Sequence, residues 1–208
     1  MTAMFSELSS AMAATRGNAE SLAFLRFTLG IPTRFLSPLG IACGRIHPHE
    51  GGSFDWSDDR TGTPAVIMPS QFPVTDINDD LAGYLSELMD PDDLIAVDAR
   101  DPGRWWSRRG DALFLNETAI RYSQFVNTPL NLFSDPLAWM RAAGAGGVID
   151  WKVGAVVVDW GRLQPYHLSG IPRAVCGSIA LAERIQSILR PPSLPELHVA
   201  AAAVGVAA

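Results

Sequence analysis

The stretch Val148-Ile-Asp-Trp151-Lys-Val-Gly-Ala155-Val-Val-Val-Asp-Trp160 decides the fold class. It reads as two strands, Val148 to Trp151 and Ala155 to Trp160, with only a short break between them. The second is an almost continuous apolar run, the pattern of a central strand covered on both faces. Strand follows strand here, so the chain does not alternate strand and helix as a doubly wound sheet requires.

The flanks keep the order irregular. Upstream, Ser134-Asp135-Pro136 combines a cap with a proline in the first turn and opens a helix through Leu137, Trp139 and Met140; glycines 144, 146 and 147 stop it. Downstream, Arg173 to Cys176 is a strand, and Ser178 caps a helix to Leu189. In that helix Leu181, Ile185, Ile188 and Leu189 follow the i, i+4, i+7, i+8 pattern. Nearer the N-terminus, helices are expected over Phe5 to Ala14, Glu20 to Leu29 behind the cap Asn18, Asp79 to Met89, and Glu117 to Phe125. Strands are expected at Ile41 to Ile46, Ser53 to Trp56, Ala65 to Met68 and Leu94 to Val97, with the second and third forming a hairpin. The expected fold is therefore α+β: a mixed sheet flanked by helices, one domain over residues 1–192, and a loosely held tail over 193–208. A three-layer α/β sheet is the alternative.

Composition bounds the function classes. A chain of 208 residues fits one domain, and 48% hydrophobic with 18% charged residues is globular. Two cysteines, Cys43 and Cys176, lie far apart with no CxxC spacing, which suits reduced thiols and a cytoplasmic protein. There is no basic leader with an apolar core and no apolar run of about 18 residues, so neither secretion nor a membrane is expected. The sequon Asn116-Glu-Thr118 then carries no meaning. A net charge of −6 argues against general affinity for phosphate backbones, although 15 of the 16 basic residues are arginine.

The common catalytic motifs are missing. The single lysine, Lys152, is not preceded by glycine, so there is no Walker A loop; GxSxG and HExxH are absent too. Gly144-Ala-Gly-Gly147 follows a helix and precedes a strand, the reverse of a dinucleotide loop. No cofactor is expected. His47-Pro-His49 is the most metal-like spacing, since i and i+2 share a face of an extended chain, and Asp55, Asp58 or Asp59 could complete a shell. Pro48 and Gly51-Gly52 favour a solvated turn instead. Asp98, Asp150 and Asp159 each close an apolar run, which suits magnesium-assisted hydrolysis or, more simply, turn capping.

The most unusual segment is Asp98-Ala-Arg-Asp-Pro-Gly-Arg104-Trp-Trp-Ser-Arg108-Arg109-Gly110. On a helical turn Arg104 and Arg108 share a face, and guanidiniums beside Trp105 and Trp106 suit phosphate contact with base stacking, or an acidic protein partner. The competing role is structural. Asp76 to Asp101 holds nine acidic residues against Arg100 and offers internal partners for Arg104, Arg108 and Arg109.

Asp101-Pro-Gly-Arg-Trp-Trp and Arg109-Gly110, followed by Asp135-Pro-Leu-Ala-Trp-Met-Arg and Val148-Ile-Asp-Trp, resemble a group of uncharacterised proteins encoded by bacterial prophages and plasmids. The resemblance covers roughly residues 94–189. It implies an accessory role in the replication of mobile DNA and carries over no catalytic residue. The sequence thus points to a non-catalytic accessory or interaction protein, engaging nucleic acid or a nucleic-acid-processing protein through Arg104, Trp105, Trp106, Arg108 and Arg109. A metal-dependent hydrolase or nuclease using Asp98, Asp150 and Asp159 is the alternative.

Overall fold

Backbone pairing sorts the strands into two sheets. In the computed structural model, residues 3–31, 33, 40–58, 60–71, 93–145 and 151–189 are described. The expected helix Asp79 to Met89, most of the expected strand Val148 to Trp151, and the tail lie outside them. The first sheet joins β1 (Ala42–Pro48), β2 (Phe54–Trp56), β3 (Thr63–Pro69), β4 (Leu94–Asp98) and β5 (Trp105–Ser107) in the order β2-β1-β3-β4-β5, all antiparallel. The second joins β6 (Phe114–Leu115), β7 (Leu130–Phe133), β8 (Ala155–Val157) and β9 (Ala174–Cys176) in the order β6-β8-β7-β9. Here β6 runs antiparallel to β8, while β7 is parallel to both β8 and β9.

Helices close both faces. They are α1 (Ala3–Arg16), α2 (Ala19–Ala23) running into a π turn (Phe24–Thr28), α3 (Glu117–Val126), α4 (Pro136–Gly144) and α5 (Ile179–Leu189). The caps act as the sequence suggests: Asn18 Oδ1 accepts from Glu20 N and Ser21 N, Asp135 Oδ1 from Ala138 N, and Ser178 Oγ from Leu181 N. Parallel strands need a crossover, and α4 lies in the connection from β7 to β8. The whole is an α+β domain.

One core joins the two sheets. The pleat sends Val66, Met68, Ile95 and Val97 of the first sheet, and Leu115 and Val156 of the second, into a shared cluster with Leu137, Trp139 and Met140 of α4. The alternate residues face outward. Ala65, Ile67, Leu94 and Ala96 pack with Phe54, Trp106 and Leu8 of α1, while Phe114, Ala155 and Val157 pack with α3 and α5 through Ala119, Ile120, Leu181 and Ile185. Gly154 sits at the seam with φ +138°, and a Cβ there would lie 2.2 Å from Asn131 O. Its carbonyl accepts from Asn116 Nδ2 (2.8 Å) and Trp139 Nε1 (2.6 Å).

Four local expectations are corrected. Strands β2 and β3 do not pair with each other; both pair with β1, because the Gly51-Gly52 turn folds β2 straight back on it. Residues 104–109 are not helical: β5 pairs with Ile95 to Val97, and tryptophan suits a pleated surface better than a one-turn helix. Trp151 begins a 3-10 turn (Trp151–Val153) instead of ending a strand. The helix expected to Leu29 changes to π geometry at Phe24.

Candidate functional site

The arginine and tryptophan segment is built as a hairpin arm. Asp101 Oδ1 accepts from Gly103 N (3.2 Å) and Asp101 O from Arg104 N (2.9 Å), which turns the chain from β4 into β5. Strand alternation then separates the two indoles. Trp106 enters the outer core of the first sheet, 7% exposed, with the Arg104 guanidinium 5.4 Å from its ring centroid. Trp105 faces the other way, half-buried against the shared core, and its Nε1 donates to Val158 O at 2.9 Å. That bond links β5 to the segment after β8.

Arg108 is committed internally. Its Nη1 donates to Asp55 Oδ1 (2.6 Å) and Phe54 O (2.9 Å), and its Nε to Glu7 Oε2 (3.3 Å), which also accepts Trp56 Nε1 (2.8 Å). Asp55 is bonded by His49 Nε2 at 3.0 Å as well; His49, then Arg108, holds its carboxyl below the usual carboxylate range. Among the described residues these partners come from α1 and β2; most of the acidic stretch upstream lies outside them. Arg104 and Arg109 are exposed and make no ion pair among the described residues.

Asp93 sets the course of the loop that follows. Fully buried at the start of β4, it accepts Leu94 N (2.8 Å) and Arg109 N (2.9 Å) on Oδ1, and Asp111 N (2.8 Å) and Ala112 N (3.2 Å) on Oδ2, together with the Ser107 hydroxyl. A carboxylate that receives so many donors is satisfied despite burial. Nothing local in the sequence marks it, because its donors lie 14 to 19 residues away apart from Leu94.

A cleft of about 220 Å³ opens beside this loop. Its lining includes three tryptophans, Trp105, Trp106 and Trp160, with Ile95, Ala112 and the glycines 51, 52 and 110. The first sheet curls to form it: Ser107 N donates to Gly52 O (2.9 Å), bringing the β1–β2 turn against β5. Arg184 stacks on Trp160, 3.8 Å from the ring centroid. Arg162 donates to Gly110 O and, at 2.9 Å, to Asp111 O. A larger groove of about 660 Å³ lies between α1 and β1. Of its charged lining groups, Glu7 is tied to Arg108, Arg45 donates to Gly62 O and Asp58 is exposed. It holds one tryptophan, Trp56, against three in the smaller cleft, which is the better candidate for stacking.

The remaining sequence candidates divide. Asp98 Oδ1 accepts Arg100 N (2.9 Å), and Asp159 Oδ1 accepts Gly161 N (2.9 Å) and Arg162 N (3.2 Å), so both serve as turn caps. Asp159 also lines the cleft. Asp150 and Asp59 lie outside the described residues. His47 and His49 are exposed near the end of β1, with His47 opposite Asp55 in register. No group of three His, Cys, Asp or Glu side chains suited to a metal occurs among the described residues. Cys43 and Cys176 are free thiols; burial pushes Cys43 up to about 12 and raises Cys176. No helix among the described residues is long and apolar enough to cross a membrane. Trp160, Arg162, Arg184 and Asp93 join the site only through tertiary contacts. No family model, curated protein or solved structure matches the chain.

Proposed function

We propose that the protein is a non-catalytic accessory protein, of the kind its prophage and plasmid resemblance suggests, that binds nucleic acid at the Trp105–Trp160 cleft. It would act in the cytoplasm, where unpaired thiols persist. The observation that supports this is a local reversal of charge in an acidic chain. Arg184 lies on Trp160 and Arg162 donates to Gly110 O, so two guanidiniums border the cleft, and Arg104 and Arg109 flank the part of the arm that lines it. Arg184 lies on an indole face and Arg162 bonds two carbonyls, and Asp159, 3.6 Å from Arg162, is the one carboxylate paired with them among the described residues, so the group keeps a net positive charge. Cations beside aromatic rings are the equipment of nucleic-acid grooves. Arg108 then supports the arm instead of touching the ligand, while Trp106 lines the cleft beside Trp105.

The test is binding of labelled single strands and duplexes to the full chain at increasing salt. Affinity should fall steeply, by about tenfold or more between about 50 and 200 mM salt if a few phosphates are engaged. Absence of binding at low salt would overturn the proposal. Chelator-sensitive hydrolysis of the same substrates would replace it with the metal-dependent reading, for which no described geometry speaks.

A further inference from the structure

We infer that the cleft takes one unpaired base, so that the nucleic acid engaged is single-stranded. This rests on the nucleic-acid reading above and narrows it. Size comes first: about 220 Å³ is below the range of roughly 300–1,000 Å³ that encloses a drug-sized ligand. A flat ring enters, and the rest of the ligand stays outside among the guanidiniums. A free small molecule would leave much of itself unheld there; a strand would not.

The lining supports the same occupant. Trp105 is fixed by its bond to Val158 O and Trp160 by the stacked Arg184, so both indoles are ordered before binding. Rigid aromatic walls suit base stacking, which tolerates any sequence because every base has a π face. Three glycines of the lining are open: a Cβ at Gly51, Gly52 or Gly110 would meet nothing within 4 Å, so backbone can approach closely. Asp159, the carboxylate in the lining, lies 3.6 Å from Arg162 and does not repel a phosphate unopposed. A base within a duplex would first have to be unpaired and unstacked, a cost a single strand largely lacks.

The experiment compares a labelled oligothymidylate, an abasic strand of equal length and a duplex of equal length by fluorescence anisotropy. Oligothymidylate should bind tighter than both others, on the order of tenfold, the effect of one stacked base. Trp105→Ala tests the wall. Gly51→Trp tests the cleft where the fold is indifferent, because Gly51 has open space and no positive φ. Filling the cleft should reduce oligothymidylate affinity to the abasic level and leave abasic binding unchanged. Equal affinity for the abasic strand or the duplex would overturn the single-base assignment and leave general nucleic-acid binding standing. Unchanged oligothymidylate binding by Gly51→Trp would overturn it equally. No binding to any of the three overturns both readings.

Discussion

Two corners of the molecule use arginine and tryptophan in opposite ways. At the first, Arg108 lies between Glu7 and Asp55, its charge matched by carboxylates, and Trp56 donates to the same Glu7. At the second, Arg162 bonds carbonyl oxygens and has one carboxylate, Asp159, at 3.6 Å, Arg184 lies on an indole, and Arg109 makes no ion pair among the described residues. Arg108 and Arg109 are adjacent in the chain and part company because Asp93 bends the backbone between β5 and β6. Composition alone therefore says little about an arginine; its partner decides whether it supports the fold or faces a ligand. A guanidinium held between two carboxylates, as Arg108 is, is structural, and one lying on a ring, as Arg184 does, keeps its field.

The sharpest way to break this contrast is at its common support. Asp93→Ala removes the carboxylate and leaves several backbone donors buried without partners, so unfolding free energy should fall by about 3–5 kcal/mol. Urea denaturation reads this directly, and a loss under about 1 kcal/mol would show that the loop holds itself. Arg108→Ala should come next, at about 1–2 kcal/mol, reduced by the exposure of Asp55 and with lost packing over Phe54 contributing. Nucleic-acid affinity should be retained by that variant. Arg109→Glu should show the reverse: stability within about 0.5 kcal/mol of the parent, since its side chain is exposed and unpaired among the described residues, but weakened binding.

The smallest effect concerns pH. A carboxyl whose folded-state pKa is depressed stabilises above its unfolded pKa and loses that contribution as pH falls through the folded value. Asp55 is such a group and is solvent-exposed, so its effect is slight and confined to acid. Thermal midpoints of the parent and Asp55→Asn should differ slightly at neutral pH and converge as Asp55 protonates. Cys43 has the opposite sign: its raised pKa makes the fold lose stability as pH climbs toward about 12.

What the sequence revealed divides along the range of the interactions. Helices α4 and α5 were legible because Asp135-Pro136 and Ser178 carry their signals within a turn, and β3 and β4 because their apolar runs are continuous. Strand β5 was not, since Trp105-Trp106-Ser107 has no alternation of its own and is extended by pairing with Ile95 to Val97. The same holds for β6 and β7, which are two and four residues long. Of the cleft, the sequence displayed Trp105 and Arg109 as an odd cluster. It could not display their relation to Trp160 and Arg184, which meet although they lie 24 positions apart in the chain.

The most direct test of the cleft as a nucleic-acid site is the salt slope of oligothymidylate affinity, measured for the parent, Arg108→Ala and Arg109→Glu. For single strands each phosphate contact contributes about −0.7 to the slope of log K against log salt. The parent and Arg108→Ala should share one negative slope, and Arg109→Glu should be flatter by about 0.7 with weaker binding. A salt-independent affinity, or a slope that changes with Arg108 and not with Arg109, would contradict the assignment of the cleft.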